Sequence, residues 1–299
     1  MHLVLTLIGP SDGNCLSQSL VDDARTALAR AGAEPGEVDW LASGCAADIS
    51  CTDGKIEQLE QAVRQSLGAE PLDIVLQPRA GRRKKLLVAD MDSTMITVEC
   101  IDELADVAGI GPHVAAITER AMRGEIDFEG ALRERVGLLH GMHRKVLRET
   151  IETRIHLTPG ARELIMTMRA DGAYTALVSG GFTYFTERVS ALAGFDFHAA
   201  NRLVFADDRL TGQVADPIVG ADMKRQTLNR LVAERGIAMA ESLAVGDGAN
   251  DLSMIKQAGF GVAFHAKPIL DAAADARIRH GDLTALLYLQ GYHRDAFVL

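Results

Sequence analysis

Aromatic side chains are scarce in this sequence: 299 residues hold nine Phe, four Tyr and one Trp. That is too few to build the stacking platform on which single-stranded nucleic acids are bound. Basic charge is short as well, with 31 Lys and Arg against 41 Asp and Glu and a net charge of −10. A surface that neutralises a phosphate backbone is therefore excluded as the leading reading, whereas a small anion held at a local cationic site is not. Cysteine is limited to Cys15, Cys45, Cys51 and Cys100, with no C-x-x-C pair. This excludes a disulfide scaffold and a thiolate zinc site, and predicts a reducing, cytoplasmic setting. No uncharged apolar run approaches the roughly 18 residues that span a bilayer, which predicts no membrane partner. The start, Met1 to Gly9, lacks a basic segment and its apolar run ends early, so no export signal is expected.

What is present is ordinary for a globular protein, 47% hydrophobic and 24% charged residues. At roughly 100 to 200 residues per domain the length suggests two domains. Up to about residue 78 the periodicity predicts a small α+β unit of order βαββαβ. Its parts are a strand at 3–8, a helix at 16–31, a hairpin of 38–42 and 45–51 around Ser43-Gly44, a helix at 55–67 and a strand at 72–76. The basic stretch Gln77 to Lys85 reads as a solvated linker and places a boundary near residue 80. From Lys85 onward short apolar runs alternate with helical ones, the pattern of a parallel α/β sheet covered on both faces. Strands are predicted at 86–89, 174–178, 242–245 and 261–264. Between the first two, residues 96–157 read almost wholly as helices, an insertion that forms a candidate lid. Thr158 is expected to cap the helix that follows it, and 203–214 to form a small β flap.

Three of these strands run into polar clusters: Asp90-Met91-Asp92-Ser93-Thr94, Ser179-Gly180-Gly181, and Gly246-Asp247-Gly248-Ala249-Asn250-Asp251. Singly, each has an ordinary explanation as a strand cap or a tight turn. Together, at the carboxyl ends of parallel strands, they are expected to meet in one crevice. Crowded carboxylates favour a cation, and a hard-oxygen donor set without clustered His or Cys selects Mg²⁺ over zinc. His140 and His143 are read as exposed helix-end residues. Ser179 and the amides of Gly180 and Gly181, at the start of a helix from Phe182, suit phosphate oxygens. Lys224 can add a point positive charge.

The ordered set Asp90 to Thr94, Ser179 to Phe182, Lys224 and Gly246 to Asp251 resembles the haloacid dehalogenase superfamily. Within it, Val98 to Ala105 and Leu132 to Leu139 resemble the phosphoserine phosphatase family. The order of elements before residue 78 resembles an ACT-type regulatory domain. The resemblance implies a Rossmann-like sheet with an inserted helical cap at about 96–157, in a phosphatase domain of residues 81–299 behind an ACT-like domain of residues 1–80. It implies hydrolysis of O-phosphoserine, the last step of serine biosynthesis, with Asp90 as nucleophile and Asp92 as general acid and base. Mg²⁺ would be held by Asp90, Asp92 through its carbonyl, and Asp247, with Asp251 in support. Ser179, Gly180, Lys224 and Asn250 would steady the phosphoryl group or the cation. Glu99 would receive the substrate ammonium and Arg135 its carboxylate, with Met122 and Phe128 closing over it. For the N-terminal unit, serine binding, homodimer formation and plain packing against its neighbour all remain open. Two rival readings also stay open: a related phosphotransferase or phosphatase acting on phosphothreonine or on homoserine as acceptor, and a non-catalytic amino-acid sensor.

Overall fold

The protein, seen in a computed structural model, is described over residues 2–11, 13 and 15–299, without the side chain of Met122. Its N-terminal unit runs β1 (His2–Ile8), α1 (Gln18–Arg30), β2 (Glu34–Ala42), β3 (Ala46–Thr52), α2 (Ile56–Leu67) and β4 (Asp73–Pro78). Each predicted element is there. The strands pair antiparallel in the order β2-β3-β1-β4. Alternation along β1 sends Leu3, Leu5 and Leu7 toward Val21, Leu28, Leu59 and Val63 of the two helices. The opposite face, with Ile8, Leu41, Ala46 and Val75, shares a core with Leu283 to Tyr292 of the second unit. The small sheet is thus covered on both sides.

The stretch before the second unit is not a solvated linker. Arg82 is held by Asp48 and the Tyr288 carbonyl, the Arg83 guanidinium lies 3.8 Å over the Tyr292 ring, and the Lys84 amide donates to Gln290 Oε1 at 3.1 Å. Arg82 bridges the two units, and Arg83, Lys84 and Lys85 fasten the stretch to the second.

The second unit continues with β5 (Leu86–Ala89), α3 (Cys100–Val107), α4 (Gly111–Met122), α5 (Phe128–Leu138), α6 (Arg144–Arg154), α7 (Ala161–Ala170), β6 (Tyr174–Phe182), α8 (Thr183–Ala193), β7 (Phe197–Ala206), β8 (Arg209–Ala215), α9 (Ala221–Arg235), β9 (Ser242–Gly246), α10 (Leu252–Gln257), β10 (Gly261–Phe264), α11 (Pro268–Asp271), β11 (Ala276–Ile278) and α12 (Ala285–Leu289). One seven-stranded sheet results, in the order β11-β10-β9-β5-β6-β7-β8, parallel except for the β7–β8 hairpin. From β5 the chain moves outward first to β6 and later back to β9 on the other side. The crevice at the strand ends opens at that reversal.

Helices α3 to α6 form the insertion, entered and left where Ile96 and Leu157 bridge. Asp127 caps α5, accepting from the Gly130 amide at 2.7 Å. The predicted flap differs from the structure. Strand β7 begins in the main sheet beside β6, and β8 then holds the cap, through Gly141 N to Leu210 O at 2.8 Å and Leu210 N to Met142 O at 2.9 Å. Helix α7 also starts otherwise than expected. Gly160, not Thr158, is its cap, in the left-handed region at φ 78°, because a Cβ there would lie 2.6 Å from the Thr284 amide nitrogen. Among the described residues no helix is long and apolar enough to cross a membrane.

Candidate active site

The strand ends bring the predicted clusters together around one cleft of about 470 Å³, lined among others by Asp90, Asp92, Glu99, Phe128, Arg135, Ser179, Gly180, Asp247 and Asn250. Asp90 follows β5 directly and is 3% exposed. Its Oδ1 accepts from the Met91 amide at 2.8 Å and faces the Lys224 ammonium at 2.6 Å, while Oδ2 has, among the described residues, a single longer contact, from Asn250 Nδ2 at 3.3 Å. Oδ2 is therefore the less encumbered oxygen. The chain then makes a wide turn over Met91–Met95 in which Ser93 takes φ 55°, a left-handed conformation costly for a residue with a Cβ and found where a site over-determines it. That turn lets Ser93 Oγ donate to Glu99 Oε1 at 2.8 Å.

Lys224 is fully buried, which excludes an ordinary surface lysine. Burial alone would lower its pKa, but the Asp251 and Asp90 carboxylates outweigh it and hold the ammonium above its usual value. Burial and the Asp90 charge push Asp251 up to about 7. Lys224 Nζ lies 2.7 Å from Asp251 Oδ1, both groups fully buried, and an ammonium so placed favours the carboxylate form of its partner. Asp251 Oδ2 also accepts from the Gly248 amide at 3.1 Å.

Asp90, Asp247 and Asp251 each present an oxygen within 4.8 Å of the others. With one buried ammonium among three carboxylates, two negative charges are left over, and the donors are all hard oxygens. This set fits a divalent cation. Asp247 shows the same need: burial first, then Asp90, push it up to about 6. Since the folded-state pKa lies above the ordinary 3.8, protonation of Asp247 favours the fold. Its contribution is full below about pH 4 and is lost as the pH climbs through 6. Asp247→Asn is accordingly expected to stabilise the cation-free protein at pH 7.5 by about 1–3 kcal/mol, while abolishing the rise in Tm that a divalent cation gives the parent. Thermal melts at pH 5 and 7.5, with and without cation, check both.

Asp92 sits two residues on, where its carboxylate accepts from Ser179 Oγ at 3.2 Å and from the Cys100 amide at 2.9 Å. Burial and then the Glu99 carboxylate push it up to about 7, against the Cys100 hydrogen bond. A carboxyl poised there can both give and take a proton near neutrality. The expectation of two free glycine amides needs correcting: the Gly181 amide is taken by Ser179 Oγ at 2.8 Å, and β6 extends through Phe182 so that α8 begins at Thr183.

Across the cleft stands the cap. Arg135 on α5 reaches inward, its Nε donating to the Ala131 carbonyl at 3.2 Å and Nη1 lying 3.5 Å from Thr118 Oγ1. Among the described residues neither it nor Glu99 nor Asp102 makes an ion pair, although the Asp102 and Glu99 charges act on the guanidinium across the cleft. Phe128, 39% exposed, lies over two glycines of the opposite wall: a Cβ on Gly180 would come 3.1 Å from Phe128 Cζ, and one on Gly220 3.3 Å from Cδ1. These two glycines make room for the ring. Met122 ends α4, and its side chain lies outside the described residues. His140 and His143 are outside the cleft, the latter capping α6 through Nδ1.

Sequence reasoning missed Asn201. This buried β7 residue donates to the Gly180 carbonyl at 2.8 Å and the Val219 carbonyl at 3.0 Å, and accepts from the Val219 amide at 2.7 Å. It ties the Ser179–Gly180 end of β6 to the segment that launches the Lys224 helix. Asn201→Ala is expected to lower kcat by about 10²-fold through misplacement of both, with a stability loss of about 1–3 kcal/mol from the orphaned backbone groups. Steady-state kinetics and a melting curve measure the two effects.

Residues 87–256 match the haloacid dehalogenase-like hydrolase family. A phosphoserine phosphatase of Haemophilus influenzae is 50% identical over 204 residues, 68% of this chain and 65% of that protein. The probable phosphoserine phosphatase of Vibrio cholerae, solved unliganded, superposes with a TM-score of 0.79 at 33% identity, over 99% of this chain and 88% of that one. A phospho-aspartyl intermediate analogue of a phosphoserine phosphatase superposes with a TM-score of 0.64 at 41% identity, over 69% of this chain and 98% of that one. The chain spans about two thirds or less of the length of the first curated relatives it matches.

Proposed function

Because the chain belongs to the haloacid dehalogenase-like hydrolase family, we propose that it hydrolyses O-phospho-L-serine to serine and phosphate, the last step of serine biosynthesis, with Mg²⁺ as the cation and in the cytoplasm. One observation carries the substrate: the cleft lined by Asp90, Asp92, Ser179 and Asp247 is also lined by Glu99 and Arg135, an acid and a base that form no ion pair among the described residues. Phosphoserine offers an ammonium and a carboxylate beyond its phosphate, the complement of that pair. The relatives named phosphoserine phosphatase support the same reading.

In the first step Asp90 Oδ2 forms a bond to phosphorus as the bond from phosphorus to the seryl oxygen breaks, and Asp92 delivers its proton to that oxygen. In the second, Asp92 takes a proton from water, the water oxygen bonds to phosphorus, and the acyl-phosphate bond to Asp90 breaks. Lys224 and Ser179, with the Gly180 amide, steady the equatorial oxygens on which charge spreads. The side chains of Asp90 and Asp247 and the carbonyl of Asp92 would hold Mg²⁺, with Asp251 and Asn250 in support. Bound there, the cation supplies positive charge against the phosphoryl oxygens. Arg135 takes the substrate carboxylate by two parallel hydrogen bonds, and Phe128 excludes water. Residues 81–299 act as the phosphatase domain with its cap at about 96–157, and residues 1–80 as an ACT-like domain that binds serine or a second copy of the chain.

Phosphate release from O-phosphoserine, O-phosphothreonine and an aryl phosphate, each with and without Mg²⁺, tests the reading. The expected result is a cation-dependent kcat/KM highest for phosphoserine. Equal rates on all three, or efficient transfer to homoserine, would replace it with the broader phosphatase or phosphotransferase reading.

A further inference from the structure

Asp247 is the first residue beyond the pairing of β9 with β10, whose last partners are Ala263 and Gly246. The strand ladder does not fix it, and among the described residues its carboxylate accepts no hydrogen bond. What holds it comes from the loop after β10, the one predicted strand whose end carries none of the three polar clusters. The Lys267 amide donates to the Asp247 carbonyl at 2.9 Å, and Lys267 Nζ lies 3.8 Å from Asp247 Oδ2.

Lys267 is in turn placed by a constrained loop. His265, the first residue after β10, takes φ 44°, the left-handed region that a side chain disfavours. Its ring stacks edge-on against Phe264 with centroids 4.4 Å apart. Nε2 lies 3.0 Å from the Gly281 carbonyl, which can only accept, so the proton sits on Nε2. Such a conformation persists when neighbouring groups hold it.

Gly281 is gripped from the other side by the N-terminal unit. Asp73, 2% exposed at the start of β4, uses both carboxylate oxygens on three successive amides: Arg279 N at 2.8 Å, His280 N at 3.2 Å to each oxygen, and Gly281 N at 2.8 Å. Among the described residues Asp73 has no cationic partner, so orienting this loop is the work its charge does. A Cβ on Gly281 would lie 3.2 Å from Asp73 Oδ2, so only a glycine accepts the approach without displacement.

We propose that Asp73, although it belongs to the N-terminal unit, is a positioning residue for Asp247, acting through Gly281 and the His265–Lys267 loop. The cation affinity of the cleft is then set partly from outside the phosphatase fold. This inference rests on Asp247 being a ligand of the cation, and the experiment separates the two claims.

Calorimetric titration of the full chain with MgCl₂, without substrate, is the test, with kcat at saturating Mg²⁺ measured beside it. Asp73→Asn and His265→Ala are expected to weaken Mg²⁺ binding about tenfold, the low end for groups that orient metal ligands. In both, kcat at saturating Mg²⁺ should stay within about twofold of the parent. Asp48→Asn breaks the Arg82 pair across the same interface but touches neither Gly281 nor the loop. It should lower Tm and leave Mg²⁺ binding unchanged. Unchanged binding in Asp73→Asn, or an equal loss in Asp48→Asn, overturns the proposal. Should Asp73→Asn not fold, unchanged binding in His265→Ala overturns it instead. Absence of binding by the parent protein overturns the cation site itself and this inference with it.

Discussion

Asp90→Asn is expected to remain folded and to lose turnover of O-phosphoserine by about four orders of magnitude or more, the scale seen when a nucleophile is removed from a unit that acts together. The amide nitrogen or neutral oxygen of Asn has no negative charge to offer phosphorus, and the substitution removes one of the charges that attract the cation. Folding survives because Lys224 keeps its 2.7 Å contact with Asp251, so no buried ammonium is stranded. Steady-state phosphate release together with a melting curve reads both halves. A folded variant within about a hundredfold of the parent would mean that water attacks directly and that Asp90 serves only the cation.

The second large effect concerns substrate choice. Arg135→Ala should lower kcat/KM for O-phosphoserine by about 10²–10³-fold, from the roughly 2–5 kcal/mol lost when one partner of a desolvated, hydrogen-bonded charge pair is truncated. Glu99→Gln should act in the same direction by a smaller factor, because the amide keeps an acceptor for Ser93 Oγ, now 2.8 Å from Glu99 Oε1, but no longer attracts an ammonium. Neither should change kcat/KM for an aryl phosphate more than about threefold, since that substrate has nothing for either residue to hold. The ratio of the two substrates is therefore the informative quantity. Equal losses on both would show that Arg135 and Glu99 support the cap and do not select the substrate.

Much of this site was legible because its chemistry is written in short, contiguous runs. Asp90 and Asp92 and Asp247 to Asp251 follow strands, Ser179 and Gly180 lie in the last residues of β6, and the rule that parallel strands deliver their ends to one crevice brings them together. The helical character of the insertion at 96–157 was readable for the same local reason, apolar residues at helical spacing. What was not legible depends on contacts distant in the chain. Asn201 lies inside an apolar strand and is recognisable only once the Gly180 and Val219 carbonyls are seen beside it. Arg82 looked like part of a solvated charge run, because its partner Asp48 is brought up by a different sheet. Thr158 had the residue type of a cap, but the close approach of Thr284 required Gly160 there. His265 and Lys267 carry no repeated motif, and the link from Asp73 to Asp247 exists only in three dimensions.

Covalent transfer to Asp90 is the claim on which the rest depends, and acid quenching during turnover tests it most directly. Full-length protein mixed with phosphate-labelled O-phosphoserine and Mg²⁺, stopped in acid within the first turnovers and digested, should yield one labelled peptide carrying an acyl phosphate on Asp90. That label should be acid-stable, labile to hydroxylamine, and absent from Asp90→Asn. Label on another residue, or rapid turnover by the parent protein with no trapped phosphoprotein, would contradict the account.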